Sequence, residues 1–299
     1  MKYISLIIPS YNSASTVSRT LDTLIKTPSD RLQEIIVVDS SDDGKTDLLL
    51  KKYAGAIQLV RLDKKTMPAV GRNIGAQKAS GQTLAFLDSD AFSSEDWLEN
   101  IALARAAGSR VGGGAILVPD FQKNNRLSLA QYFLQFNEFT DAGQTRQKMF
   151  VPSCNLFCEK TLFHEVGGFP EIRASEDVLF GLAAGSVSKV MFHPDIRVYH
   201  IFRDQWRSYL NNQLLLGRYI LIYRRQHFGG FLYKTWVAVP LLPLIFLGKF
   251  FGIASRVLRG KRDYILPFLS SCPLLLLGLL YWTAGFFQGC FEKKSPPAG

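Results

Sequence analysis

The chain has 299 residues and a formal net charge of +10, with 35 Lys or Arg against 25 Asp or Glu. Hydrophobic residues make up 47% and there are only four cysteines, which excludes both a disordered polyelectrolyte and a disulfide-stapled miniprotein. The charge is uneven: residues 1–200 hold 22 basic and 22 acidic side chains, residues 201–299 hold 13 and 3, so the whole excess lies in the most apolar third.

In chain order, apolar strand-like runs occur at Ile4 to Pro9, Glu34 to Asp39, Ile57 to Arg61 and Leu84 to Asp88. Segments of helical period lie between them, at Ser15 to Ile25, Thr46 to Tyr53 and Val70 to Ala79. Repeated strand–helix units predict an α/β domain, a mostly parallel sheet with helices on both faces. Ligands of such sheets sit beyond the carboxyl ends of the strands. Three of those ends are polar: Pro9-Ser10-Tyr11-Asn12, Asp39-Ser40-Ser41-Asp42-Asp43-Gly44 and Asp88-Ser89-Asp90. Positions i and i+2 of an extended chain share a side, so Asp88 and Asp90 converge on one point. Two carboxylates held together need a proton or a cation between them, and a hard divalent ion could carry substrate phosphates on its other side. Gly112-Gly113-Gly114 has neither the spacing nor the lysine of a phosphate cradle.

With further motifs, the polar strand ends resemble the family-two glycosyltransferases of GT-A fold. The matching residues are Ile8-Pro9-Ser10-Tyr11-Asn12, Val37-Val38-Asp39, Gly71-Arg72-Asn73-Ile74-Gly75 with Ala79-Ser80-Gly81, and Phe86-Leu87-Asp88-Ser89-Asp90. Asn155-Leu156-Phe157, Val166-Gly167-Gly168-Phe169 and Glu176-Asp177 follow in the family's order, so the resemblance covers about residues 3 to 200. It departs from the family in a shorter loop at Ser41-Asp42-Asp43-Gly44, where Asp42 and Asp43 receive no separate roles, and in Ala91 where a third carboxylate is common. The Gln-x-x-Arg-Trp motif of processive synthases is missing, which implies one sugar per event.

The resemblance implies a nucleotide-diphosphate-sugar donor and a divalent metal, Mg²⁺ or Mn²⁺. It places Pro9, Tyr11, Asn12, Asp39, Arg72 and Asp88 in the nucleotide-sugar site, with Pro9 and Tyr11 flanking the base and Asp39 accepting from its ring N–H. Asp90 would ligate the metal, with Asp88 in its shell. Asp177 would be the catalytic base, with Glu176 the second candidate, and a base opposite the leaving group implies inversion. Plainer readings stand beside these: Asp39 capping a turn, Arg72 on a solvated helix face, and Glu176-Asp177 as ordinary first-turn acids. His200 follows the strand-like Ile196 to Tyr199 and is either a further metal ligand or a structural histidine.

Downstream, Trp206 to Gln226 reads as a long basic amphipathic helix along a membrane surface. Residues 1–228 are expected to form the catalytic domain and 229–299 a membrane-associated region. In the latter, 229–255 is a re-entrant or first helix and 264–291 a transmembrane helix. Tyr264 to Phe291 contains no charged side chain in 28 residues, more than the roughly 20 that span hydrocarbon. Arg256, Arg259, Lys261 and Arg262 favour a single crossing over a two-helix hairpin, by the positive-inside rule. The basic residues flank apolar segments, a pattern for anionic lipid and against nucleic acid. No export leader is expected, because the chain opens in a strand-like run at Lys2-Tyr3-Ile4. The sum is an inverting, metal-dependent transferase of envelope polysaccharide or glycolipid synthesis, with its catalytic domain on the cytoplasmic face. The acceptor is lipid-linked, for example polyprenyl-linked, or soluble; a catalytically silent sugar-nucleotide binder is the further alternative.

Overall fold

A computed structural model describes residues 3–227 and 234–292. The expected domain boundary at 228/229 and the tail Ser295 to Gly299 lie outside the described residues. The elements in chain order are β1 (Ile4–Ser10), α1 (Val17–Lys26), β2 (Leu32–Asp39), α2 (Lys45–Lys51), β3 (Gln58–Arg61), α3 (Pro68–Lys78), β4 (Thr83–Leu87) and β5 (Ala91–Ser93). There follow α4 (Trp97–Ala106), β6 (Val111–Leu117), α5 (Arg126–Phe136), β7 (Arg146–Gln147), β8 (Asn155–Glu159), α6 (Lys160–Glu165), α7 (Glu176–Gly185) and β9 (Val190–His200). The last helices are α8 (Trp206–His227), α9 (Thr235–Ala238), α10 (Leu242–Arg259) and α11 (Ile265–Cys290).

Contacts divide the chain into two compact units. The first holds residues 1–117, 139–172 and 176–201, the second residues 118–138, 173–175 and 202–299. The expected ranges 1–228 and 229–299 rest on composition; by contact, α5 and α8 group with the C-terminal helices.

The first unit is an α/β sheet of nine strands. β3, β2, β1 and β4 are neighbours in that order and all run parallel. Their apolar runs are continuous because helices cover both faces, and Leu6, Ile7, Val37 and Phe86 are fully buried. Beyond β4 the sheet turns mixed: β8 is antiparallel to β4 and β6, β6 is parallel to β9, and β5 is antiparallel to β9. Gly112, Gly113 and Gly114 lie in β6, where an added Cβ would collide with the carbonyl oxygens of Met191, Asn155 and Ile196. The glycine run therefore serves close strand packing rather than phosphate binding. Asn155 fixes the same crossing point, accepting from Trp97 Nε1 at 2.9 Å and donating to the carbonyls of Ala115 and Ile196.

The second unit is helical, with a core that includes Leu127, Phe133, Tyr209, Leu275, Leu279 and Trp282. α8 and α11 meet along a seam of glycines. A Cβ on Gly217 would strike the Trp282 carbonyl, one on Gly285 the Leu214 carbonyl, and one on Gly289 the Arg218 carbonyl. Small residues let two helix backbones approach this closely. Pro273 sits inside α11 without ending it, and α10 continues through Lys249.

Candidate active site

The parallel register brings the polar strand ends side by side: Ser10 pairs with Asp39, and Asp39 with Arg61. Asp39 is fully buried, so its charge must be satisfied by the protein. Its Oδ1 accepts from Ser10 Oγ at 2.8 Å and from Ser41 Oγ at 2.6 Å. Its Oδ2 pairs with the Arg61 guanidinium, which also donates to the Ser41 carbonyl. The structure thus places Asp39 inside a hydrogen-bonded ion pair at the strand ends, not merely at the cap of a turn. Sequence reasoning missed Arg61, although its place at the end of a strand adjacent to Asp39 was a usable signal.

The structure also separates the two acids of the short loop. Asp42 is clasped by the first loop: its carboxylate accepts from Asn12 Nδ2 at 2.8 Å and from Tyr11 Oη at 3.1 Å, and its backbone N–H donates to Asn12 Oδ1. The Asn12 donor is the main cause holding the Asp42 carboxyl below its ordinary pKa. Asn12 takes the left-handed conformation (φ 49°) that the clasp requires. Asp43 instead accepts from the backbone N–H and hydroxyl of Thr46 and closes the start of α2. Lys65 Nζ lies 4.4 Å from the centre of the Tyr11 ring.

Arg72 lies within α3 and is 2% exposed, which overturns the solvated-face alternative. Nη2 donates to Asp88 Oδ1 at 2.6 Å and Nη1 to Glu176 Oε1 at 2.9 Å. Burial disfavours the guanidinium charge, but the two carboxylates outweigh it and hold the pKa above the ordinary value. The next residue, Asn73, makes a two-way bond with the Phe169 backbone, 2.8 Å from Nδ2 and 2.9 Å to Oδ1. Phe169 in turn packs on Phe86, Phe163 and Phe180, and Phe180 belongs to α7. The Gly-Arg-Asn and Gly-Gly-Phe motifs are thereby one packed construction that fixes α3 against α7.

Glu176 and Asp177 open α7. Glu176 is committed to Arg72, whereas the Asp177 carboxylate takes a hydrogen bond from the Val178 N–H at 2.8 Å. Burial, and then the negative charge of Glu176, push the Asp177 carboxyl up to about 7; Arg72 opposes both. On the other side of Arg72, a turn closed by Ala91 N–H on the Asp88 carbonyl carries Asp88 and Asp90. β5 pairs Ala91 with His200, and the Ile201 N–H donates to the Asp90 carbonyl at 2.7 Å. His200 is therefore the last residue of β9 and lies beside the acids, with Nε2 3.6 Å from Asp90 Oδ1. One ligand atom each from Asp88, Asp90 and His200 falls within a 4.8 Å cluster. Two carboxylate oxygens and an imidazole nitrogen are a donor set that suits a borderline-hard divalent ion such as Mn²⁺. Cys154, buried beside Asp88, Asp90 and Asp177, is kept a neutral thiol by burial above all.

Parallel strands with polar ends, followed by a mixed half that carries an Asp-x-Asp turn, define a GT-A fold. The chain belongs to glycosyl transferase family 2, whose sequence profile matches residues 5–167. Among curated relatives, glycosyltransferase AglE of Haloferax volcanii is 25% identical over 175 residues, 57% of this chain and 57% of that protein. The pre-mycofactocin glycosyltransferase of Mycobacterium tuberculosis is 26% identical over 279 residues, 87% of this chain and 57% of its own length. The chain thus spans under two thirds of these relatives. The mannosyltransferase PcManGT from Pyrobaculum calidifontis, solved with GDP-Man and Mn²⁺, shares the fold at a TM-score of 0.63 and 17% identity, covering 98% of this chain and 89% of that one. GalNAc-T7, solved with UDP, GalNAc and Mn²⁺, gives 0.53 at 21% identity over 68% of this chain and 44% of that one.

Proposed function

We propose that the protein transfers a single sugar from a nucleotide diphosphate sugar to an acceptor hydroxyl, with inversion, at the cytoplasmic surface of a membrane. The observation that carries this reading is the division of labour around Arg72. Arg72 binds Asp88 on the Asp-x-Asp side and Glu176 on the helix side, and leaves Asp177 as the carboxylate outside the ion pairs. Its pKa near 7 suits a base that must be ionised yet basic enough to take a proton. Asp177 accepts the proton of the acceptor hydroxyl. The oxygen forms a bond to the anomeric carbon while the bond to the phosphate oxygen breaks, and the diphosphate leaves with the electron pair. Attack opposite the leaving group inverts the anomeric centre.

Pro9, Tyr11 and Asn12 border the nucleotide pocket in this reading, with Asp39 and Arg61 at its floor. Asp88, Asp90 and His200 would hold Mg²⁺ or Mn²⁺, and the imidazole favours Mn²⁺. When bound, such an ion supplies charge neutralisation to the departing diphosphate. Membrane association through the second unit is supported by one helix, Arg262–Cys290, long and apolar enough to cross a bilayer, and it favours a lipid-linked acceptor. The deciding experiment is transfer from a panel of nucleotide sugars, with and without Mn²⁺, comparing wild type with Asp177→Asn and Glu176→Gln. Loss of turnover with retained nucleotide binding in Asp177→Asn supports the assignment; the same pattern in Glu176→Gln alone moves the base to Glu176. Nucleotide binding without turnover of any donor would leave only a binding protein.

A further inference from the structure

The second unit carries a topological constraint that its hydropathy does not reveal. α8 and α11 run in the same direction. Tyr209 Oη donates to the Leu274 carbonyl at 2.9 Å, Gly217 backs onto Trp282, and Arg218 Nε reaches Glu292 at 2.6 Å, so later residues of one meet later residues of the other. Whatever path α11 takes, α8 follows it over this length. α8 carries Asn211, Asn212 and Gln213 within the paired stretch and Arg207 one half-turn before Tyr209, beside the middle of α11. Drawing these through the hydrocarbon centre would be expensive, most of all for Arg207. Tyr219 and Ile222 of α8 also pack on Ala174, whose segment 173–175 continues at both ends into the α/β unit. α8 thus packs on chain outside the apolar helices, and α11 packs on α8.

The opposite side of the unit is apolar. Leu244, Leu247 and Phe251 of α10 and Leu266, Leu269 and Leu280 of α11 are all exposed. The one charge within the apolar part of α10, Lys249, turns away from that surface and lies 4.6 Å over the Trp282 ring. Arg256, Arg259, Lys261 and Arg262 cluster where α10 turns into α11, and all four are exposed. An exposed apolar strip bordered by basic side chains matches one leaflet of an anionic bilayer, with lipid tails against the strip and headgroups against the turn.

Resting on the membrane reading above, we propose that the α10–α11 hairpin lies in the plane of one anionic leaflet, apolar side down, and that no segment among the described residues crosses the bilayer. This replaces the crossing expected for residues 264–291. The geometry also explains why a strip on one side of α11 suffices: the other side is already packed on α8 and α5.

The test is side-selective labelling of the full chain in a bacterial host. Single cysteines are placed at Lys26 in the α/β unit, at Lys261 in the hairpin turn and at Ser295 near the end. The background replaces the four native cysteines with alanine and is first shown to bind nucleotide sugar. With a membrane-impermeant maleimide, all three should react in sealed inverted vesicles and none in intact spheroplasts. Reaction of Lys261→Cys or Ser295→Cys in spheroplasts would show a crossing and overturn the proposal while leaving membrane association intact. In parallel, purified protein is floated with phosphatidylglycerol-containing or purely phosphatidylcholine vesicles. Arg259→Ala and Arg262→Ala should each weaken binding to the anionic vesicles about fivefold and leave binding to the neutral ones little changed. Equal loss on both vesicle types would refute the headgroup contact at the turn. Failure of the wild type to float with either would overturn the membrane reading itself, and this inference with it.

Discussion

The two units differ in how many apolar side chains they leave exposed. In the α/β unit they fill the sheet, and the surfaces at the strand ends are left to polar groups that bond one another. The helical unit also buries an apolar core beside its glycine seam, but further leucines and phenylalanines stand outside; Leu266 is 77% exposed and Phe251 62%. If the helical unit meets lipid as proposed, exposed apolar area is favourable there, whereas against water it is favourable to hide it. The difference assigns a distinct sensitivity to each. Activity should respond to single polar atoms in the first unit, and location should respond to charge and apolar area in the second.

The largest expected effects concern chemistry. Asp177→Asn should lower kcat by about a thousandfold, since a positioned base contributes on that scale, with nucleotide-sugar affinity nearly unchanged in calorimetry. Asp90→Asn should reduce transfer by orders of magnitude, and excess chelator should abolish wild-type transfer, because the departing diphosphate then lacks a counter-charge. Full activity under chelation would remove the metal from the reading. A smaller effect separates Glu176 from Asp177. The pH profile of kcat/KM should lose its acid limb near pH 7, as Asp177 takes up a proton and ceases to be a base. In Glu176→Gln one negative neighbour is gone, so the Asp177 proton is held less tightly and the limb should move to lower pH. A limb that moves upward, or stays fixed, would place the titrating group elsewhere.

Much of the first unit was legible in the chain. The four parallel strands and three helices follow from apolar runs alternating with helical periods, and their ends needed only small shifts: His200, expected just after a strand, is the strand's last residue. Asp88 and Asp90 do converge, but through a turn closed on the Asp88 carbonyl rather than through the two-residue repeat of an extended chain, and the approach of His200 depends on a strand pairing opposite Ala91 that the chain did not reveal. What was not legible were partners that depend on tertiary register. The motif singled out Arg72 but not its bridge between Asp88 and Glu176; Asp42 and Asp43, given no separate roles in the sequence, do different work. The parallel course of α8 beside α11 was invisible for the same reason, since hydropathy reports how apolar a helix is and not what it is packed against. Gly278 reads in the sequence as an interruption of an apolar run, and with Gly285 and Gly289 it forms the contact surface itself.

That seam gives the next effect in size. Gly285→Leu pushes a side chain into the Leu214 carbonyl, and overpacking of this kind costs about 1–3 kcal/mol. Detergent-solubilised protein should lose thermal stability in the helical unit, read by protease protection of α8, while nucleotide-sugar binding by the α/β unit persists. Simultaneous loss of both would show that the two units unfold as one.

A paired substitution, whose smaller member is the smallest effect of all, tests the contrast directly by making one kind of change in both regions. Phe86 is fully buried under Phe163 and Phe169, and Phe86→Ala removes a ring from a packed aromatic cluster. Its expected cost is about 3–5 kcal/mol, enough to consume much of a domain's stability. Leu266→Ala truncates a side chain that touches little protein, so unfolding in detergent should shift by no more than about 0.5 kcal/mol. Its consequence should appear instead in vesicle flotation. Three lost carbon atoms, at roughly 0.8 kcal/mol for each when buried in an apolar medium, set an upper bound near tenfold to a hundredfold on the weakening. A side chain resting at the interface should give less. If Leu266→Ala lowers stability as Phe86→Ala does, the exposed strip is covered by protein, and the helical unit obeys the same rule as the sheet. If it changes neither stability nor flotation, the strip begins beyond Leu266, and repeating the change at Leu269 and Leu280 would find where lipid contact starts.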